Sequence, residues 1–182
     1  MKNKAKAIAF SVAVMTGGLT TAHAVDGTIN FTGTISGASC SVNNIAGSAS
    51  TSGAVDFGVV SASTLAGTGA STVSTPFSIE LTDCAVPEAP QITFTGTPVT
   101  ASGYTELFAT DVSGVGIRIE DAGNTATRYT SGNSAANTGF NSLVSEDVAS
   151  ATGNFNAYLV SYSAGAKEGS VDTSVTFEID YS

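Results

Sequence analysis

A chain of 182 residues with 15 acidic and only 6 basic side chains carries a formal net charge of −9. That balance argues against nucleic acid or an anionic membrane surface as partner, because affinity for either comes from Lys and Arg. With one His and two Cys in the whole chain, most nucleophilic and metal chemistry is also short of ligands.

The first 24 residues read as a secretory signal. Lys2, Lys4 and Lys6 form a basic start, and Ala7 to Met15, "AIAFSVAVM", is an apolar run. "AHA", Ala22 to Ala24, offers small residues at the two positions a signal peptidase reads. The run is too short to cross a bilayer, which needs about 20 residues, so no membrane insertion is expected. Cleavage after Ala24 leaves 158 of the 182 residues, enough for one domain with a real core. It also removes three Lys and the only His, taking the charge from −9 to −12.

Two cysteines remain, Cys40 and Cys84. In an exported chain an even, small count points to one disulfide, worth roughly 4 kcal/mol for a loop of this length in the chain-entropy model. The alternatives are free thiols or a metal site, and a metal site would want further Cys or His ligands that the mature chain lacks.

The mature chain then reads as short strands parted by Gly, Ser, Thr, Asn and Asp. "VDGTINFTGTIS", Val25 to Ser36, opens it, with Val25, Gly27, Ile29 and Phe31 on one face, and runs on toward Cys40. "AVDFGVV", Ala54 to Val60, is expected to be the next strand, with Val55, Phe57 and Val59 on one face. "STLAGTGAS" is too rich in Gly and Ser for an element of its own. "PFSIELTDC", Pro76 to Cys84, alternates Phe77, Ile79 and Leu81 against polar neighbours, a half-buried strand. After the prolines of "AVPEAP", "QITFTG" turns Ile92 and Phe94 inward. "GVGIRIEDAGN" places Val115, Ile117 and Ile119 on one face and Arg118 and Glu120 on the other, and ends in turn residues. A polar Asn/Ser/Gly stretch leads to "NAYLVSYSA" and finally "SVTFEIDYS". No segment keeps a helical period and no repeat of 20–50 residues appears, so one β-sandwich is expected.

Enzyme chemistry has little to stand on. Without a mature His, Ser/His/Asp and Cys/His systems are excluded. Glu120 with Asp121, or Glu146 with Asp147, are neighbours that face opposite ways on a strand, so neither pair converges; they read as solvated face and turn charges. "GVGIRIE" is no phosphate cradle, since no helix follows its glycines. "NFT", Asn30 to Thr32, matches a glycosylation sequon but lies inside an expected strand, and no Ca²⁺ loop spacing is present. No cofactor or metal is expected.

Five features in order now carry a resemblance. They are the signal segment, "INFTGTISGASCSV", "DFGVVSASTLAGTGASTVSTPFSIELTDC" leading to the second Cys, "GVGIRIEDAGN", and "VTFEIDYS" with Tyr181. Together the chain resembles the type 1 fimbrial (chaperone–usher) pilin subunits. The resemblance implies an all-β, incomplete immunoglobulin-like β-sandwich that lacks its last strand and carries an N-terminal donor-strand extension. The donor would span residues 25–36, overlapping the first strand, and the pilin domain residues 32–182. Val25, Gly27, Ile29 and Phe31 would enter a neighbour's groove, by the strand addition known from several recognition modules. Val175, Phe177, Ile179 and Tyr181 would border this chain's own groove and meet a periplasmic chaperone.

The implied function is a structural, non-enzymatic subunit of an adhesive pilus, polymerising by donor-strand exchange with neighbouring subunits at an outer-membrane usher. The implied location is the fimbrium, reached through the periplasm. Size and a complete donor segment favour a rod subunit over a minor adaptor. One departure stands out, because cleavage after Ala24 leaves only Val25 and Asp26 ahead of Gly27, unless the cut falls after Ala22. The competing class is a self-contained Ig-like periplasmic binding module whose first strand pairs at home; a carboxylate-dependent hydrolase is a third.

Overall fold

The computed structural model describes residues 39–85, 88–144, 149–165 and 167–181. Among these residues nine strands follow one another: β1 (Ser39–Ile45), β2 (Thr75–Ala85), β3 (Gln91–Thr95), β4 (Phe108–Ala109), β5 (Val115–Asp121), β6 (Arg128–Tyr129), β7 (Ser134–Ala136), β8 (Ala151–Ser161) and β9 (Thr176–Asp180). Among the described residues the helical elements are two 3₁₀ segments, Ala62–Leu65 and Thr138–Val144, and none is long and apolar enough to cross a membrane.

All ladders among the described strands are antiparallel. The larger sheet runs β1-β2-β8-β5-β4, with β6 also on β5, and the smaller runs β7-β3-β9. Alternation sets which faces meet. On β2, Ile79 and Leu81 are buried, and on β3 Ile92 and Phe94 are, as their spacing predicts. Phe77 sits opposite Phe155 across the β2–β8 ladder, their rings stacked at 5.0 Å. Phe94 meets Phe155 edge-on at 5.5 Å from the other sheet, and Tyr129 meets Phe94 at 5.2 Å. Such aromatic pairs add about 0.5–1.5 kcal/mol each beyond the area they bury. This cluster joins the layers. Gly153 of β8 belongs to the same fit, because a Cβ there would lie 2.5 Å from the Phe140 ring.

Cys40 and Cys84 form a disulfide that pins β1 to β2, with Cα atoms 4.2 Å apart. It adds a covalent tie to the β1–β2 ladder, whose register is irregular after Ser39 and after Val42.

Three expectations need correction. Residues 54–60 join no ladder: Val55 and Phe57 are half-buried, but Val59 is fully exposed. Gly58 lies between them at φ +63°, a left-handed residue that breaks the two-residue period. "STLAGTGAS" does hold an element, the 3₁₀ turn Ala62–Leu65, whose N-cap Ser61 accepts from the Ser63 amide and whose Leu65 is buried. Glu120 and Asp121 are not solvated charges; both are buried. Glu120 takes Arg128 Nε at 3.3 Å, and Arg118 Nε lies 2.8 Å away, an ion pair by distance but not aligned as a hydrogen bond. Asp121 accepts from the Thr138 amide and hydroxyl, the Gly123 amide and the Asn137 amide group. Glu146, Asp147 and residues 1–38, with the signal segment and the donor residues, lie outside the described residues.

Candidate functional site

Among the described strands β9 is paired along one side. On one side it pairs with β3 from Thr95↔Thr176 to Gln91↔Asp180, and among the described residues no strand pairs with its other side. Thr176, Glu178 and Asp180 are exposed, while Val175, Phe177, Ile179 and Tyr181 are half-buried and turn inward. The same condition holds for β1, whose one described partner is β2.

Between these two edges lies a cleft of about 870 Å³. One wall is Val42 and Ile45 of β1, continued by residues 51–55 and Phe57. The other is residues 171–177 with Ile179 and Tyr181. Its floor is the hydrophobic core itself: Phe77 and Ile79 of β2, Phe94 of β3, Ile117 and Ile119 of β5, and Ala157 of β8. Ile79, Phe94, Ile117, Ile119 and Ala157 of this floor are buried and Phe77 is half-buried, so the apolar surface still partly exposed lies along the walls, at Val42, Val55, Phe57, Val175, Phe177 and Ile179.

At one end the Tyr181 hydroxyl donates to the Cys40 carbonyl across the gap, at 3.4 Å. Burial raises the Tyr181 pKa, and the bond to Cys40 opposes that rise. At the other end the lining is shared with a second cavity of about 470 Å³, through Val55, Phe57 and Val171.

The cleft offers little to a reaction. Among the described residues of its lining Asp172 is the one carboxylate, with no His or Cys beside it. Among the described residues no three His, Cys, Asp or Glu side chains gather as a metal site would require. The lining is mainly apolar and runs alongside β1 and β9.

The structure places Val175, Phe177, Ile179 and Tyr181 together along one wall. Val25, Gly27, Ile29 and Phe31 lie outside the described residues. Sequence reasoning missed Val42, Ile45 and Val171 as wall residues. For Val171 a signal was available, since it shares the odd-numbered parity of β9's inward face.

Residues 29–182 match the family model described as Fimbrial protein. Among solved structures, the chain is similar to a Burkholderia pseudomallei antigen and type I fimbria protein, at 30% identity and TM-score 0.55 over 85% of this chain and 97% of that one. It is similar to the P pilus rod subunit PapA at 21% identity and TM-score 0.58, covering 85% of this chain and 100% of that one. A chaperone–usher pilus structure that bears on rod uncoiling matches at 22% identity and TM-score 0.61, over 86% and 95%. The last two likenesses, at low identity, show the shared fold alone. No curated protein matches the chain by sequence.

Proposed function

This chain belongs to the fimbrial protein family, and on that premise we propose that its cleft takes a strand lent by a neighbouring subunit. The chain is a pilus subunit of the cell-surface fimbria, a structural protein and not an enzyme. The proposal concerns how it polymerises. One observation carries it: an apolar cleft over Phe77, Phe94, Ile117 and Ile119 runs between β1 and β9, each of which pairs along one side only among the described strands.

A strand seated there would take backbone hydrogen bonds from β9 and cover apolar surface, at about 1.5–3 kcal/mol for each large side chain fully buried. Residues 25–36 suit the part. Val25, Ile29 and Phe31 would point into the cleft, with Gly27 where the chain must come close to its floor. The wall segment around Val55 and Phe57, which has strand-like alternation but no ladder, would gain a partner on the same occasion.

Before assembly the same edge needs covering, and a periplasmic chaperone would lay its own strand along Val175, Phe177, Ile179 and Tyr181 until an outer-membrane usher hands the site to the next subunit. Adhesion would follow mainly from forming the fibre. The size of this chain and its complete donor segment suit a rod position over a minor adaptor.

The test is to fuse a second copy of residues 25–36 behind residue 182 through a short flexible linker and remove the native copy. The account expects a soluble monomer more stable than the parent chain. A fusion that aggregates or melts like the parent counts against it.

A further inference from the structure

The cleft has unlike ends. At one, Tyr181 reaches from the tail of β9 to the main-chain carbonyl of Cys40 on β1. The disulfide to Cys84 on β2 ties that acceptor down. At the other end the cleft shares its lining with the second cavity, which extends to Leu65, Val112 and Leu159. A strand lying in the cleft therefore meets a crossbar at one end and open room at the other.

Register is the physical difficulty for any such strand. A slide of one residue turns every inward side chain outward, and burial alone forbids it. A slide of two residues keeps the same face inward and only shifts each side chain by one position along the wall. Backbone hydrogen bonds with β9 can form in either case. With Gly27, Ile29 and Phe31 so different in size, only one of these registers fills the cleft well, and a fixed feature at one end would select it.

Resting on the reading proposed above, we infer that Tyr181 is a positioning residue that sets the register of the incoming strand, its ring held across the gap by the bond to the Cys40 carbonyl. Every ladder among the described strands is antiparallel. A donor laid antiparallel on β9 brings its N-terminal end to Tyr181. A donor that starts at Val25 has no chain that must pass the crossbar, so the short N-terminus and the closed end suit each other.

The experiment traps the register directly. Glu178 is exposed on β9, on the face away from the cleft, and Glu178→Cys in the mature chain provides a reporter thiol. Three synthetic peptides of residues 25–36 each carry one Cys, in place of Thr28, Asn30 or Thr32, and disulfide trapping is read by mass spectrometry. With Tyr181 present, one peptide is expected to cross-link in clear excess. With Tyr181→Ala, and to a lesser degree Tyr181→Phe, two peptides whose thiols are two residues apart should both cross-link. Peptide binding with a single register kept in both variants overturns the inference and leaves donor-strand exchange standing. If Tyr181→Ala does not fold, Tyr181→Phe decides alone, and a single register there overturns it. Absence of both cross-linking and stabilisation with Tyr181 present sinks the donor-strand reading, and this inference with it.

Discussion

Phe94 and Phe177 are cross-strand partners on β3 and β9, their ring centroids 6.3 Å apart. Phe94 is 3% exposed in the floor of the cleft, whereas Phe177 is half-buried on its wall. Paired positions in one ladder thus have different fates, because Phe94 is packed by the rings of Phe77, Tyr129 and Phe155, and Phe177 meets the rim of the cleft.

That difference predicts opposite mutational profiles. Phe94→Ala should cost the lone chain about 3–5 kcal/mol, as expected for emptying a buried aromatic site. Phe177→Ala should cost it clearly less, while weakening binding of the 25–36 peptide by about ten- to a hundred-fold, the effect of one large apolar side chain. Chemical denaturation and peptide titration on the two variants check this. Equal losses of stability with unchanged peptide affinity would contradict it.

Asp121 is the centre of a buried polar network. Its carboxylate accepts from Thr138, Gly123 and Asn137, and Asn137 also donates to the Tyr129 hydroxyl at 3.1 Å and the Asn154 carbonyl at 3.0 Å. Asp121→Ala leaves several of these donors without an acceptor, and each unsatisfied buried group costs about 1–3 kcal/mol. We expect a loss of about 3 kcal/mol or more in thermal or urea unfolding, with the peptide still able to bind whatever fraction folds. A loss below about 1 kcal/mol would mean that water replaces the carboxylate.

The same network makes an alkaline prediction. Burial raises the Tyr129 pKa above the ordinary phenol value; the Asn137 hydrogen bond lowers it in part, and the Asp121 charge raises it again. The folded chain therefore keeps this proton at pH values where the unfolded chain, ionising near pH 10, has lost it. Stability from this group is full below about pH 10 and falls as pH rises above it, with Tyr181 adding to the same slope. Tyr129→Phe loses the hydroxyl's bond to the Ala136 carbonyl, 3.0 Å, yet should flatten the alkaline fall. Melting temperatures between pH 8 and pH 12 on both proteins decide it; parallel curves would rule out Tyr129 as the source.

Legibility in the sequence followed from what alternation can report. β2, β3 and β5 were readable because Ile79, Ile92 and Ile117 each repeat with a partner two residues away against one core face. Residues 54–60 misled because Val55, Phe57 and Val59 state that a segment has an apolar side and say nothing of who supplies its hydrogen bonds. Gly58 then undoes the pattern at Val59. Glu120, Asp121 and Asn137 could not be read as buried. Their burial depends on partners brought together by the fold, such as Arg128 beside Glu120 and Asn137 beside Asp121. Phe140 and Leu143, both buried in the core, were hidden because a short 3₁₀ segment has no long period to detect. Of the site, the β9 wall was visible in one parity of side chains, and the opposite wall was not.

The account turns on whether the cleft lacks a strand that residues 25–36 can supply. Its most direct test is the thermal unfolding of the mature chain, followed with and without an excess of a peptide of that sequence. Ligand bound only to the folded state at a hundred times its dissociation constant adds about 2.7 kcal/mol, so the melting temperature should rise by several degrees, and more for a tighter fit. The same peptide with Ile29 and Phe31 replaced by Ser should do little. A melting temperature unmoved by the native peptide, in a chain with its Cys40–Cys84 disulfide intact, would contradict the account.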